Sequence, residues 1–169
     1  MAAQNDEDLA LSRRAAAGDS AAFAALVEKH ERPLRAFLWR MGAAEIADDI
    51  AQDAFLKAWR AAGQYDGSAR YSTWLTKIAW RCRLDELRRR ARPPEPQAEP
   101  AENDGATEVR DMLARLSENE RASLVLCDGH GWTHQEAAEL LDLPLGTLKS
   151  TIARAKSKCR EMWSGASNG

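Results

Sequence analysis

Apolar residues recur at intervals of three and four along most of the chain, and this spacing predicts helices rather than strands. Asp19 or Ser20 can cap the second helix, Pro33 is expected to interrupt or kink it, and Ser72 or Thr73 can cap the fourth. The predicted helices cover residues 9–17, 20–42, 44–62 and about 72–91, and helices resume near residue 107. Because β-branched residues are few and alternation is scarce, the expected fold class is all-α.

Residues 133–158 have the pattern of a helix-turn-helix. Thr133 and Glu136 are spaced as a capping box, as are Ser117 and Glu120 before it, and such a box satisfies free amides at the start of a helix. Asp142 tolerates the left-handed backbone of a tight turn, and Pro144 suits the first turn of the next helix. The alternative is an amphipathic helical hairpin with a solvated basic face. A capped helix, a short turn and a basic second helix together favour DNA binding in the major groove.

The second helix of this motif divides into an apolar face and a basic face. The positions expected to face inward are Leu148, Ile152, Ala155 and Cys159. The opposite side carries Ser150, Ala153, Arg154 and Ser157, flanked by Lys149, Lys156 and Arg160. Small residues in the middle permit a close approach to DNA, while the basic side chains can hold phosphates and some can reach base edges.

Charge is distributed unevenly along the 169 residues, although the formal net charge is only −2. Lys and Arg outnumber acids seven to two over residues 77–92 and five to none over residues 149–160. Residues 93–120 reverse the balance, with eight acids and two bases. Two basic segments separated by an acidic one indicate two nucleic-acid contacts joined by a segment that avoids DNA.

A linker is predicted between the two basic segments. Residues 93–105 contain four prolines, several acids and no large apolar side chain, so they cannot bury a core. We therefore expect two small helical domains, residues 1–92 and 107–164, joined by a flexible acidic linker at residues 93–106. The helix-turn-helix belongs to the second of these domains.

Aromatic and basic side chains are interleaved over residues 65–92. Lys77, Arg81 and Arg88 fall on one helical stripe. The aromatic residues in the loop and the first helical turns are Tyr65, Tyr71, Trp74 and Trp80. This composition suits single-stranded DNA, because basic side chains follow the backbone while rings stack on unpaired bases, each stack contributing about 1–3 kcal/mol. The alternative is that the tryptophans are core residues and the arginines form a solvated face.

Other classes of function find little support. Cys127, His130 and His134 have a spacing that could suit zinc, but no fourth ligand is apparent, so neither a metal nor another cofactor is expected. Cys82 and Cys159 fall on apolar faces and are expected to be small core residues. No nucleophile–base pair or phosphate-binding glycine loop is recognisable, so we do not expect an enzyme. The acidic N-terminal segment is not a signal peptide and no apolar run could cross a bilayer, which predicts a cytoplasmic protein without membrane insertion.

Taken together, the two halves resemble a known family. The segments that carry the resemblance are DDIAQDAFLKAW at residues 48–59, YSTWLTKIAWRCRLDELRRRAR at 71–92 and LPLGTLKSTIARAK at 143–156. In this order, and separated by an acidic linker, they resemble the extracytoplasmic-function sigma factors of bacterial RNA polymerase. The resemblance covers nearly the whole chain, and it is more specific than a lone helix-turn-helix, which many regulators contain.

The resemblance implies roles for particular residues. In the family, one helix binds the polymerase clamp, and it matches Asp49, Gln52, Asp53 and Leu56 of this chain. Their spacing places these residues on one face. Without the resemblance, an acidic face exposed to solvent would be the preferred interpretation. The part that melts the promoter −10 element and captures a flipped base matches Tyr65, Tyr71, Trp74, Lys77, Arg81 and Arg88. The helix that reads the −35 element matches Lys149, Ser150, Thr151, Arg154 and Lys156.

Two positions depart from the family's habit. Many members have Asn where this chain has Arg81, and many have Arg where it has Thr151. The linker matches the segment that passes near the polymerase active centre and the RNA exit path. The linker is short and carries no additional domain, so a separate sensor function inside this chain is not expected.

The expected function is therefore that of a sigma factor that directs core RNA polymerase to promoters and promotes DNA melting. The implied partners are core RNA polymerase, promoter DNA and an anti-sigma factor. Two alternatives stay open at this point. One is a sigma-like interaction protein that acts mainly as a partner for a regulator, and the other is a stand-alone helix-turn-helix repressor.

Overall fold

The structure is a computed structural model and describes residues 2–90 and 107–166. All regular elements in these ranges are helical, which confirms the all-α prediction. The α-helices are α1 (Ala2–Ala16), α2 (Ser20–Arg40), α3 (Ala47–Arg60), α4 (Tyr71–Arg90), α5 (Thr107–Ala114), α6 (Glu118–Leu124), α7 (His134–Leu141) and α8 (Leu145–Ala166). They form two compact units, α1–α4 and α5–α8. The predicted linker lies outside the described residues.

One predicted boundary in the first unit was wrong, and the interruption expected at Pro33 is absent. Helix α1 begins at Ala2, well before the predicted start at residue 9. Helix α2 runs without interruption through Pro33. Proline removes only one backbone donor, and Pro33 itself is exposed, while Leu34 and Phe37 beyond it stay buried. The burial of the following turns therefore outweighs the local cost of the proline.

Helix α2 begins as the sequence predicts. The backbone amide of Ala22 donates to Oδ1 of Asp19 over 3.0 Å, so Asp19 is its cap. Helix α4, by contrast, begins at Tyr71, and Ser72 and Thr73 are already inside it. Thr73 is fully buried, so its side chain faces the core rather than the helix end. The predicted cap at Ser72 or Thr73 was wrong.

Helices α3 and α4 form the most extensive helix pair of the first unit. The inner stripe of α3 is buried and consists of Ile50, Ala54 and Ala58. Leu75 and Ala79 of α4 are buried as well. Small residues on the inner stripe allow a close helix contact, which leaves the opposite side of α3 free to face outward.

Both capping boxes predicted for the second unit are present. Ser117 and Glu120 exchange side-chain and backbone hydrogen bonds at the start of α6, and Thr133 and Glu136 do the same at the start of α7. A π-helical turn, Val125–Gly129, extends α6. Each cap fixes where its helix begins because it satisfies amides that the helix itself leaves free.

The helix-turn-helix consists of α7, a short turn and α8. Asp142 ends α7 in the left-handed conformation, with φ of 53°, and Pro144 precedes the first residue of α8. The predicted inner face of α8 is confirmed for Leu148, Ile152 and Ala155, which are 0%, 5% and 0% exposed. Within the described residues, no helix has the length and apolar character needed to cross a membrane.

Candidate functional site

The outward face of α8 carries most of the basic residues that the sequence singled out. Lys149, Ser150, Arg154 and Lys156 are exposed there. Thr151 is only 4% exposed, so it lies on the inner side of the helix and not with the predicted DNA-binding residues. Helical geometry explains this position, because Thr151 is three residues after buried Leu148 and four before buried Ala155.

The exposed cations of α8 differ in their partners. Lys156 Nζ lies 2.8 Å from Oδ2 of Asp128 in the π-helical turn. Lys149 and Arg154 form no ion pair with other described residues, and Ser150 donates its hydroxyl proton to the backbone carbonyl of Thr147 over 2.9 Å. Lys149 and Arg154 are therefore the cations most available to an anionic ligand.

A second basic stripe follows helix α4. Arg81 and Arg88 are exposed and Lys77 is half-buried, which agrees with one outward stripe. Nη1 of Arg88 lies 3.4 Å from Oδ1 of Asp85 one turn earlier. Such an exposed pair contributes at most about 1 kcal/mol, so it can exchange readily for a phosphate.

The aromatic residues near the start of α4 form one cluster. The ring centroid of Trp74 lies 5.4 Å from those of Tyr65 and Tyr71, and the two tyrosine rings meet edge to face at 5.1 Å. Tyr65 and Tyr71 are 4% and 1% exposed, whereas Trp74 is half-buried. The folded chain thus offers the ring of Trp74 to a ligand and keeps both tyrosine rings beneath it. Trp80 is a core residue, with Cζ of Arg83 5.2 Å from its ring centroid.

A buried polar network lies under this cluster, and sequence reasoning missed it. Asp8, 4% exposed, lies 2.7 Å from Nζ of Lys29 and 3.1 Å from Nε2 of His30. The His30 ring centroid lies 4.9 Å from that of Tyr71. Burial lowers the pKa of His30, although the nearby Asp8 carboxylate opposes this effect. The network joins α1, α2 and α4, and the acidic N-terminal segment gave no apolar periodicity by which to detect it.

The outward face of α3 carries the residues that the resemblance assigns to polymerase binding. Asp49, Gln52 and Asp53 are exposed, and Leu56 is 49% exposed. An isolated exposed leucine is ordinary, but here it borders a groove, which marks it as a candidate contact.

The groove has a volume of about 290 Å³ and is lined by residues of α2 and α3. Its lining residues are Phe23, Val27, Glu31, Arg35, Asp48, Ala51, Gln52, Phe55 and Leu56. At its rim, Arg35 bridges Glu31 and Asp48, each over 3.3 Å. An apolar floor with a charged rim suits a protein side chain or helix as a ligand. The contribution of α2 could not be foreseen from the sequence, since it depends on how the two helices pack.

The cysteines and histidines do not form a reactive centre within residues 2–90 and 107–166. Burial raises the pKa of the Cys82, Cys127 and Cys159 thiols, which favours their neutral form. No group of three or more His, Cys, Asp or Glu side chains in this part of the chain is arranged to hold a metal ion.

Comparison with known families matches both helical units of the chain. Residues 26–93 match Sigma-70 region 2, and residues 106–159 match Sigma-70, region 4. The chain thus has the two-domain organisation of a sigma-70-type transcription initiation factor. It is 36% identical over 151 residues to the ECF RNA polymerase sigma factor SigM of Mycobacterium tuberculosis, covering 84% of this chain and 77% of that protein. It belongs to the extracytoplasmic-function (ECF) RNA polymerase sigma factors, which direct core RNA polymerase to promoters.

Further relatives support the same assignment. The ECF RNA polymerase sigma factor RpoE of Cereibacter sphaeroides is 34% identical, with 85% of this chain and 87% of that protein covered. Among solved structures, CnrH in complex with the cytosolic domain of CnrY has a TM-score of 0.72 and 25% identity, covering 94% of this chain and 98% of that chain. The similarity therefore extends over both helical units.

Proposed function

We propose that the exposed cations of α8 bind the −35 element and that α4 with its preceding loop captures the opened −10 element. Lys149 and Arg154 support the first part, because they project from the second helix of a helix-turn-helix without an ion-pair partner among the described residues. In this proposal Ser150 and Lys156 add contacts beside them, while buried Thr151 shapes the helix from its inner side. This cationic face on a capped helix-turn-helix is the observation that carries the proposal.

For the −10 element, the partly exposed ring of Trp74 would stack on an unpaired base while Lys77, Arg81 and Arg88 hold the backbone. Tyr65 and Tyr71 take a different role from the one first expected. Since both are buried, they would support the Trp74 ring from below rather than stack on DNA themselves. No covalent chemistry is required, because the cost of opening is offset by base capture and by contacts with polymerase.

The face formed by Asp49, Gln52, Asp53 and Leu56 is proposed to bind core RNA polymerase. The adjoining apolar groove supports this role, since it offers an anchor site next to exposed carboxylates.

We further propose that the chain acts in the cytoplasm, is not an enzyme and is held inactive by an anti-sigma factor. The solved structure of CnrH in complex with the cytosolic domain of CnrY supports a protein partner for the chain.

Run-off transcription with purified core polymerase from the source bacterium tests the proposal directly. A genomic promoter library should yield transcripts only when the chain is added, and mapping their start sites would define both promoter elements. Absence of any transcript would favour an interaction protein. Duplex binding that is equally tight without core polymerase would favour a stand-alone repressor, and a gel shift with and without core enzyme separates this outcome.

A further inference from the structure

Helix α1 follows the connection between α3 and α4 and contacts it at both ends. The Ser12 hydroxyl donates to the backbone carbonyl of Ala62 over 3.0 Å at one end. At the other end, Nδ2 of Asn5 donates to the backbone carbonyl of Gly67 over 2.9 Å. Asn5 and Ser12 lie two helical turns apart, so one side of α1 spans the connection that precedes α4.

Asn5 also fixes the buried ring of Tyr65. The Tyr65 hydroxyl lies 2.7 Å from Oδ1 of Asn5 and 2.9 Å from the carbonyl oxygen of Ala69, and its single proton can be donated to either. Burial raises the pKa of Tyr65 to about 12, so the hydroxyl keeps this proton at neutral pH. The Oδ1 atom of Asn5 thus accepts from the Tyr65 hydroxyl, and its Nδ2 group donates to the carbonyl of Gly67, two residues after Tyr65.

Gly67 shows how closely the loop approaches α1. Its φ of +79° lies in the left-handed region, and a Cβ built there would be 2.9 Å from Cδ2 of Leu9. Asp66 completes the turn by accepting the Ser68 amide proton over 2.9 Å. The loop is therefore held by hydrogen bonds and by direct packing against the same side of α1.

We propose that Asn5 is a positioning residue for promoter opening, which holds the loop of residues 65–70 in the shape that presents Trp74 to an unpaired −10 base. The inference rests on the proposed role of this loop and of α4 in base capture. A loop that is already ordered loses less conformational entropy when it captures a base, so more of the stacking energy remains to offset unstacking. Asn5 itself need not touch DNA.

A purely structural role for Asn5 makes different predictions. If the residue served only the stability of α1, its loss would lower the melting temperature and weaken polymerase binding along with every transcription step. A positioning role predicts instead that the defect is confined to opening. The test therefore needs one template that must be opened and one that is already open.

The test uses holoenzyme assembled from the full chain and core polymerase of the source bacterium, on a promoter found by start-site mapping. One template is duplex and one carries a pre-melted −10 bubble. On the duplex, Asn5→Ala should slow open-complex formation about tenfold, as expected from the loss of two hydrogen bonds. Bubble transcription at saturating holoenzyme should stay within about twofold. A 2-aminopurine in the non-template −10 strand should show a smaller fluorescence change on capture.

Two further variants keep the test interpretable. Glu7→Ala removes an exposed partner of Lys29 on the same helix without touching the loop, and it should leave both templates unaffected. Tyr65→Phe removes only the hydroxyl, which also lies within reach of the Ala69 carbonyl. The effects of Asn5→Ala and Tyr65→Phe should therefore be less than additive, because both changes break one shared hydrogen bond.

Equal rates of open-complex formation on the duplex template by Asn5→Ala and the unaltered chain would overturn the inference while leaving the proposed function intact. A parallel loss on duplex and bubble templates, with weaker polymerase binding, would overturn it in favour of a structural role. Failure of the unaltered chain to open any promoter would overturn the proposed function and the inference together.

Discussion

Lys158 on α8 reaches back to Glu120 at the start of α6, with its Nζ 2.9 Å from the carboxylate. Glu120 is 5% exposed and also accepts the Ser117 backbone amide proton over 3.0 Å. The contact thus joins the capping box of one helix to the helix proposed to bind DNA. It therefore ties α8 to the start of α6 within the second unit.

This relationship predicts a specific pH dependence of stability. Hydrogen bonding from Lys158, and then from the Ser117 amide, lowers the pKa of Glu120 from its ordinary 4.5 to about 2. The carboxylate therefore stabilises the fold fully above about pH 4.5, and this contribution is lost as the pH falls towards 2. Glu120→Gln keeps a capping amide but removes the charge, and should lower stability at pH 7 by about 1 kcal/mol.

Thermal unfolding of the two proteins between pH 7 and pH 2 would check this prediction. The difference in melting temperature should be several degrees at pH 7 and should shrink below about pH 4.5. Glu161→Gln is the matched control, because Glu161 is an exposed carboxylate of α8 that, among the described residues, accepts only the Ser157 hydroxyl. A constant difference at all pH values would show that the charge of Glu120 does not contribute.

Removing Lys149 and Arg154 should weaken duplex binding without affecting polymerase binding. Lys149→Ala/Arg154→Ala is expected to lower −35 affinity at least about tenfold and to reduce the salt slope of binding by about 2. Titration of a −35 duplex at several salt concentrations gives both quantities. Arg13→Ala/Arg32→Ala removes the same charge from exposed sites of the first unit and should leave the slope unchanged. Loss of polymerase binding in the folded double variant would contradict the assignment.

Asp128 should restrain the DNA affinity of α8. Its carboxylate holds Lys156, so a phosphate must compete for that ammonium group. Asp128→Asn is expected to raise non-specific duplex affinity about threefold to tenfold, since one more cation becomes available. Fluorescence anisotropy with a random duplex would measure the change. The gain should disappear in Asp128→Asn/Lys156→Ala, and a gain that persists there would exclude Lys156 as its source.

Leu56 should contribute to polymerase binding but little to folding. Its side chain is 49% exposed beside the groove, so Leu56→Asp should change the free energy of unfolding by no more than about 0.5 kcal/mol. Core polymerase affinity should fall about tenfold or more, because a charge would face an apolar partner surface. Competition for core polymerase measures the binding of each variant. Leu87→Asp is the matched control, because Leu87 of α4 is 40% exposed. Equal effects at both leucines would argue against a specific contact.

Alanine substitutions at Gly67 and Gly18 separate the stability cost of the loop contact from the stability cost of backbone strain. Both have positive φ, 79° and 94°, but only a Cβ at Gly67 would meet another residue, Leu9. Gly18→Ala should therefore cost about 1–2 kcal/mol from strain alone. Gly67→Ala should cost more, and urea unfolding of both variants measures the difference. Leu9→Ala should recover part of that difference, whereas no recovery would mean that the close approach is not what destabilises Gly67→Ala.

The sequence predicted features whose causes are local. The capping pairs, the left-handed turn at Asp142 and the inner face of α8 follow from residue types at fixed spacing, and the structure confirms them. Thr151 was selected by the resemblance and not by the periodicity, and the structure shows it buried on the inner side of α8. Buried Leu148 and Ala155 on the same side of the helix would have indicated its position.

The sequence could not predict whether a residue is buried or exposed where tertiary packing decides it. Tyr65 and Tyr71 have the composition of a stacking surface, yet both are buried, Tyr65 beside Asn5 of α1 and Tyr71 beside His30 of α2. The predicted start of α1 was too late in the chain, because the sequence does not distinguish polar residues that bond to a loop from polar residues that face solvent. The groove between α2 and α3 was missed for the same reason, since it exists only when Phe23 and Phe55 are brought together.

The division of α8 into a buried and an exposed side has an evolutionary consequence. Leu148, Ile152 and Ala155 hold the helix in place, while the exposed positions between them make almost no internal contacts that the fold depends on. Substitutions at Lys149, Ala153 and Arg154 can then accumulate after gene duplication without loss of folding. Two copies could diverge towards separate sets of promoters, one exposed side chain at a time, while sharing the same polymerase.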